Sequence, residues 1–132
     1  MTRVDVRPLQ GFNQVEFGMN RETVRNLLGA FKEFYKTEQS ENTTDDFGFC
    51  HIYYDCNNLF EAVECFSDVE IYFNDILLYP ADLQDMIIKI PNLERDEEGA
   101  ISFSLSIGVY APYEEVESIM FARYGYFDYL NS

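Results

Sequence analysis

Apolar positions recur along this chain with two different periods, and the switches between them mark out the elements. Gln14 to Phe17 reads as a short strand that turns at Gly18. Asn20 then offers a helix N-cap before Arg21 and Glu22, and Val24, Leu27, Leu28 and Phe31 follow at helical spacing. Gly29 is a C-terminal cap that can end this helix early, so that Phe31 to Tyr35 starts an extended segment. The polar stretch TEQSENTTDD, residues 37–46, reads as a loop. Phe47 to Tyr54 is rich in β-favouring residues, Asp55 to Asn58 makes a turn, and Leu59 to Phe66 returns as the second strand of a hairpin.

Val69, Ile71 and Phe73 alternate with Glu70 and Tyr72, the mark of a half-buried strand. Asn74-Asp75 is a tight turn from which Ile76 to Tyr79 pairs back. Pro80 can open a second helix with Leu83, Met86, Ile87 and Ile90 as its stripe, and Pro91 stops it. Asn92 to Gly99 is a charged loop. Ile101, Phe103, Leu105, Ile107 and Val109 alternate with Ser102, Ser104, Ser106 and Gly108, which predicts one long strand with an exposed serine face. Val116 to Ala122 forms a last strand before the aromatic tail RYGYFDYL. The order β-α-β-β-β-β-α-β-β predicts a single α+β domain over residues 1–132. Its antiparallel sheet would have about six or seven strands, with two helices packed on one face.

Composition agrees with one packed unit. The chain has 132 residues, 47% hydrophobic and 25% charged, enough to bury a core without disulfide staples. Three cysteines, an odd number, point to reduced thiols and a cytoplasmic setting. No apolar run approaches the ~18 residues of a membrane span, and MTRVDVRPLQGF lacks the apolar stretch of a secretory signal.

Charge changes the picture more. The net value is −15, which sets the chain against nucleic-acid phosphates and against anionic membranes. Residues 1–36 carry six bases and four acids, whereas residues 37–132 carry three bases and twenty acids. From Thr37 to Ile88 there are twelve acids and no Lys or Arg, so those acids have no local partner and repel one another. Tyr53, Tyr54, Phe60, Phe66 and Tyr72 are interleaved with them. Carboxylates beside aromatic rings form a surface suited to a partner rich in Arg and Lys.

Chemistry beyond binding finds little footing. Cys50, His51, Cys56 and Cys65 lack a Cys-x₂-Cys spacing, and Cys50 and His51 are neighbours on a strand whose side chains point to opposite faces. The segment from Asp55 to Glu61 begins like a calcium loop but places Leu59 and Phe60 where oxygen ligands and glycine belong. His51 is the sole histidine, Glu61 and Glu64 are the nearest thing to a carboxylate pair, and there is no Gly-rich phosphate loop. The expectation is no catalytic residue, no metal and no cofactor.

The phrase VEFGMNRETVRNLLG at Val15 to Gly29, the YYDCNN hairpin at Tyr53 to Asn58 and the C-terminal VESIMFARYGYFDYL resemble a widespread family of small bacterial α+β domains of unknown function. The resemblance implies a one-domain cytoplasmic module of the immunity-protein kind and carries no catalytic residue. Together with the charge it gives the leading expectation: a non-enzymatic inhibitor that binds a basic toxin or other basic protein. Its contact residues would be Asp45, Asp46, Glu61, Glu64, Glu70 and Tyr72. The alternative is a small-molecule or peptide-binding module, with Phe47, Phe49, Tyr53, Phe103 and Tyr110 walling a pocket between sheet and helices.

Overall fold

Val4 and Val6, set between Arg3, Asp5 and Arg7, form β1 (Thr2–Arg7), an alternating strand at the start of the chain. In the computed structural model, which describes residues 1–40 and 42–130, the chain continues through β2 (Gly11–Phe12), β3 (Val15–Glu16) and α1 (Arg21–Leu28). Next come β4 (Lys32–Phe34), β5 (Thr44–Asp46), β6 (Cys50–Tyr54), β7 (Phe60–Cys65), β8 (Val69–Phe73) and β9 (Ile76–Tyr79). The helix α2 (Leu83–Lys89) precedes β10 (Glu94–Asp96), β11 (Gly99–Ser102), β12 (Ile107–Tyr110) and β13 (Ser118–Ala122), and Asp128–Leu130 closes with a 3₁₀ turn. The class is α+β. No helix among the described residues is long and apolar enough to cross a membrane.

The single sheet of six or seven strands is corrected to two. One has five strands in the order β3-β2-β1-β8-β9, and the other has eight, β10-β11-β12-β13-β7-β6-β5-β4. The split arises because β1 runs parallel to β8, Thr2 opposite Val69 through Val6 opposite Phe73. A parallel pair cannot be closed by a tight turn, so short-range spacing gives no hint of it. The helices do not share one face of a single sheet. α2 packs against β9 of one sheet and β11 of the other, while α1 is tied to β5.

Several local expectations hold. Asn20 caps α1, its side chain accepting from the Thr23 N–H, and Gly29 ends the helix. Asn74 and Asp75 both have positive φ, as the tight β8–β9 turn requires. Asp82, rather than Pro80, caps α2, whose Leu83 and Met86 are buried. Other expectations fail. Leu27 and Phe31 remain 41% and 39% exposed, so only Val24 of the α1 stripe is fully buried. The loop of residues 37–46 contains β5, and its Glu41 lies outside the described residues. The charged loop contains β10 and the turn at Glu97 and Glu98 that joins it to β11. Gly99 closes it with φ +152, where an added Cβ would fall 1.9 Å from the Val109 carbonyl oxygen.

The long serine-faced strand is really the hairpin β11–β12, with Ser102 opposite Ile107. Ser102 and Ser106 are buried rather than exposed: Ser102 Oγ donates to the Pro91 carbonyl, and the Ser106 carbonyl accepts from the Ala122 N–H. Alternation looks the same through a turn as along a strand, so the pattern could not show the reversal.

The two sheets share one core, in which Val4, Phe12, Ile71 and Leu78 of the smaller sheet meet Ile52, Val63, Ile119 and Phe121 of the larger. The outward faces therefore lie on opposite sides of that core. On the outward face of the eight-stranded sheet a second cluster forms from Tyr53, Ala62, Ala122 and Phe127. Cys50 and Cys65 stand opposite each other on β6 and β7, facing the shared core, whereas Cys56 is exposed in the β6–β7 turn. Burial raises the Cys50 thiol and pushes the Cys65 thiol up to about 12. A thiol titration with a chromogenic disulfide should read one reactive cysteine in the native chain and three in denaturant. Native reaction of Cys50 or Cys65 at the Cys56 rate would contradict this packing.

Candidate interaction site

Asp45 is completely buried, and its carboxylate is held from three directions. Arg25 donates to both oxygens at 2.8 Å, Arg21 reaches Oδ1 at 3.4 Å, and the Tyr54 hydroxyl donates to Oδ2 at 2.9 Å. Arg21 also stacks its guanidinium 4.1 Å from the Tyr54 ring centre and bonds Asn42 and Thr43. Asp45, one of the acids that follow Thr37, thus does find cations, but from α1, some twenty positions earlier. This removes Asp45 from any surface that a partner could touch.

The other five expected contact residues fall on two sides of the molecule. Glu70 and Tyr72 lie on β8, on the outward face of the five-stranded sheet. There the Tyr72 hydroxyl donates to Glu70, and Arg3 stacks 3.9 Å over the Tyr72 ring. Asp46, His51 and Glu64 occupy one row across β5, β6 and β7 on the outward face of the larger sheet. Glu61, beside the irregularity in β6–β7, pairs with Arg123 at 3.3 Å. Glu61 and Glu64 do not converge as a carboxylate pair, since Glu64 is bound instead by Tyr53 and Ser118. His51 packs between the rings of Phe34 and Phe66. Among the described residues no three His, Cys, Asp or Glu side chains gather as a metal-holding group.

That row continues past Glu64 into a cleft that the hydrophobic pattern does not reveal. Past Glu64 the register runs to Met120 on β13, Gly108 on β12, Ile101 on β11 and Glu94 on β10. Ile101, Gly108 and Met120 form the floor of an open cleft of about 740 Å³, with Phe103, Tyr110, Phe127, Tyr129 and Leu130 along its sides. Gly108 matters because the Phe127 ring lies where a side chain would be: a Cβ there would come within 3.1 Å of it. Carboxylates ring the cleft at Glu64, Glu94, Asp96, Glu97 and Glu98. Arg95 also lines it, but its guanidinium is turned to Glu114 at 2.6 Å and Gln84 at 3.1 Å.

Glu64 sits at the inner end. Tyr53 donates to its Oε1 at 2.9 Å and Ser118 to its Oε2 at 2.8 Å, so two neutral hydroxyls fix the carboxylate without neutralising it. Of the aromatic walls expected between sheet and helices, Phe103 and Tyr110 line this outward cleft. Phe47 and Phe49 pack against the shared core, and Tyr53 belongs to the second cluster. The run Glu94-Arg95-Asp96-Glu97-Glu98 was the available signal for the cleft. It lies not in a loop but on the β10–β11 hairpin, which lifts four acids beside an apolar floor. Comparison with family models, with curated proteins and with solved structures finds no match for this chain.

Two predictions follow from these environments. Asp45→Ala leaves two arginines facing an uncompensated pocket and should cost about 3–5 kcal/mol in a urea unfolding series, whereas Tyr54→Phe should cost about 1. A loss below about 1 kcal/mol for Asp45→Ala would contradict the buried pairing. The second concerns high pH. Burial raises the Tyr53 and Tyr54 phenols, with Glu64 and Asp45 adding to the effect, and pushes Tyr126 up to about 12. An unfolded tyrosine titrates near ~10, so the folded chain keeps protons that the unfolded chain releases. That stability is whole below pH ~10 and is lost as pH climbs through the folded values. Phenolate absorbance should show these three of the ten tyrosines ionising only as the chain unfolds. Smooth titration of all ten near pH ~10 in a folded chain would contradict it.

Proposed function

We propose that this chain is a non-enzymatic interaction protein that binds a basic protein partner in the acidic cleft on the outward face of its eight-stranded sheet. The observation that carries the reading is the ring of Glu64, Glu94, Asp96, Glu97 and Glu98 around an apolar floor, with the lining Arg95 bound elsewhere. Charge and shape contribute differently. The ring and the net −15 draw a cation in over long range, and Ile101, Met120 and the aromatic sides supply contact that holds it once water is displaced. An inhibitor of a basic toxin, the particular case implied by the sequence resemblance, would use the cleft in this way. Its carboxylates would take the place of an anionic substrate.

The proposed surface differs from the expected one in its residues. Glu64 remains central, Asp46 lies on the same face, and Glu61 is tied to Arg123. Asp45 is internal, and Glu70 and Tyr72 are on the far side. The test exploits that separation. Association of a fluorescent peptide of alternating Lys, Arg and Ser should slow at least about tenfold at low salt when Glu97→Lys and Glu98→Lys are combined. Glu70→Lys should leave the rate within about twofold, and higher salt should shrink the difference. Equal effects from both changes, or none from either, would overturn the reading.

A further inference from the structure

The protein shows how it holds its own cations, and arginine is treated differently from lysine. Arg3 lies over Tyr72 while bonding Asp5 at 3.0 Å. Arg21 lies over Tyr54 and Arg25 over Phe31, both on Asp45. Arg123 is 6.0 Å from the Tyr126 ring centre and pairs with Glu61. Three arginines therefore sit in the same cradle, paired with a carboxylate and within 4.1 Å of an aromatic ring centre, and Arg123 sits in a looser version of it. Lysine is not held this way: Lys36 lies 4.6 Å over Tyr53, and no lysine forms an ion pair among the described residues.

The cleft contains the parts of that cradle. Tyr110 and Tyr129 stand along its sides, 44% and 70% exposed, with Asp96 and Glu98 in the lining and Glu64 fixed by two hydroxyls at the inner end. We infer that the cleft seats an arginine side chain of the partner protein. This deepens the reading of the cleft as a docking site for a basic partner and rests on it. A planar guanidinium can lie on a tyrosine face while its N–H groups fork onto a carboxylate. An ammonium presents only a compact, strongly hydrated charge and gains little from the rings. The preference therefore comes from the tyrosines and the attraction from the acids, and the two can be separated.

Three heptapeptides, Gly-Xaa-Gly-Xaa-Gly-Xaa-Gly with blocked ends and Xaa as Arg, Lys or citrulline, titrated against the full chain by calorimetry, test the inference. The Arg peptide should bind about fivefold tighter than the Lys peptide of equal charge, and the citrulline peptide should not bind measurably. Tyr110→Ser with Tyr129→Ser should bring Arg down to the Lys affinity. Tyr129 is largely exposed and Tyr110 on β12 is 44% exposed, so a cooperative melt near the native temperature checks that this variant is folded. Equal binding of Arg and Lys to the native chain would overturn the arginine inference yet leave the basic-partner reading standing. So would an Arg preference that survives loss of both tyrosines. Absence of any salt-sensitive binding by either cationic peptide would overturn both.

Discussion

A carboxylate with no access to water needs cations built around it, and Asp45 is the point on which this architecture turns. Removing the charge of Asp45 from solvent costs several kcal/mol unless paired with good geometry. Arg25, Arg21 and Tyr54 supply that geometry from α1 and β6. The knot does more than satisfy one acid. It fastens a helix with a single fully buried apolar residue, Val24, to the edge region of the eight-stranded sheet, where hydrophobic burial alone would hold it weakly.

The same knot explains how charge is distributed. Bases are few, and many of those near the N-terminus are engaged within the fold: Arg21 and Arg25 with Asp45, and Arg3 with Asp5 and Asp75. Later in the chain Arg123 goes to Glu61 and Arg95 to Glu114. What remains is an excess of acids with no counterpart, and the β10–β11 hairpin raises several of them beside the apolar floor made by Ile101, Gly108 and Met120. Such crowding opposes compactness through self-repulsion, and a bound cation relieves it. On the proposed reading, folding and binding are two parts of one charge balance.

How much of this was legible depended on the range of the cause. Asn20, Gly29 and the Asn74-Asp75 turn act through backbone atoms a few residues away, and each was readable where it stood. The pairing of β1 with β8 was not, because Val4 and Ile71 meet across half the chain. Nor was the burial of Asp45, since a polar residue goes inside only when distant partners arrive. The serines at 102 and 106 illustrate a different failure: their alternation was real, but a turn between β11 and β12 put them inward. Of the expected contact residues, Glu64 alone lines the cleft, and the acids from Glu94 to Glu98 were visible as charge without being visible as a surface.

The central claim is that one face of one sheet carries the binding chemistry. Backbone amide chemical shifts, recorded by NMR while an arginine-rich peptide is added, test it most directly. The account predicts shifts concentrated at Glu64, Glu94 to Glu98, Gly108, Tyr110, Met120 and Tyr129, with β1 and β8 unmoved. Shifts centred on Glu70 and Tyr72, or spread evenly over the acidic surface, would contradict it.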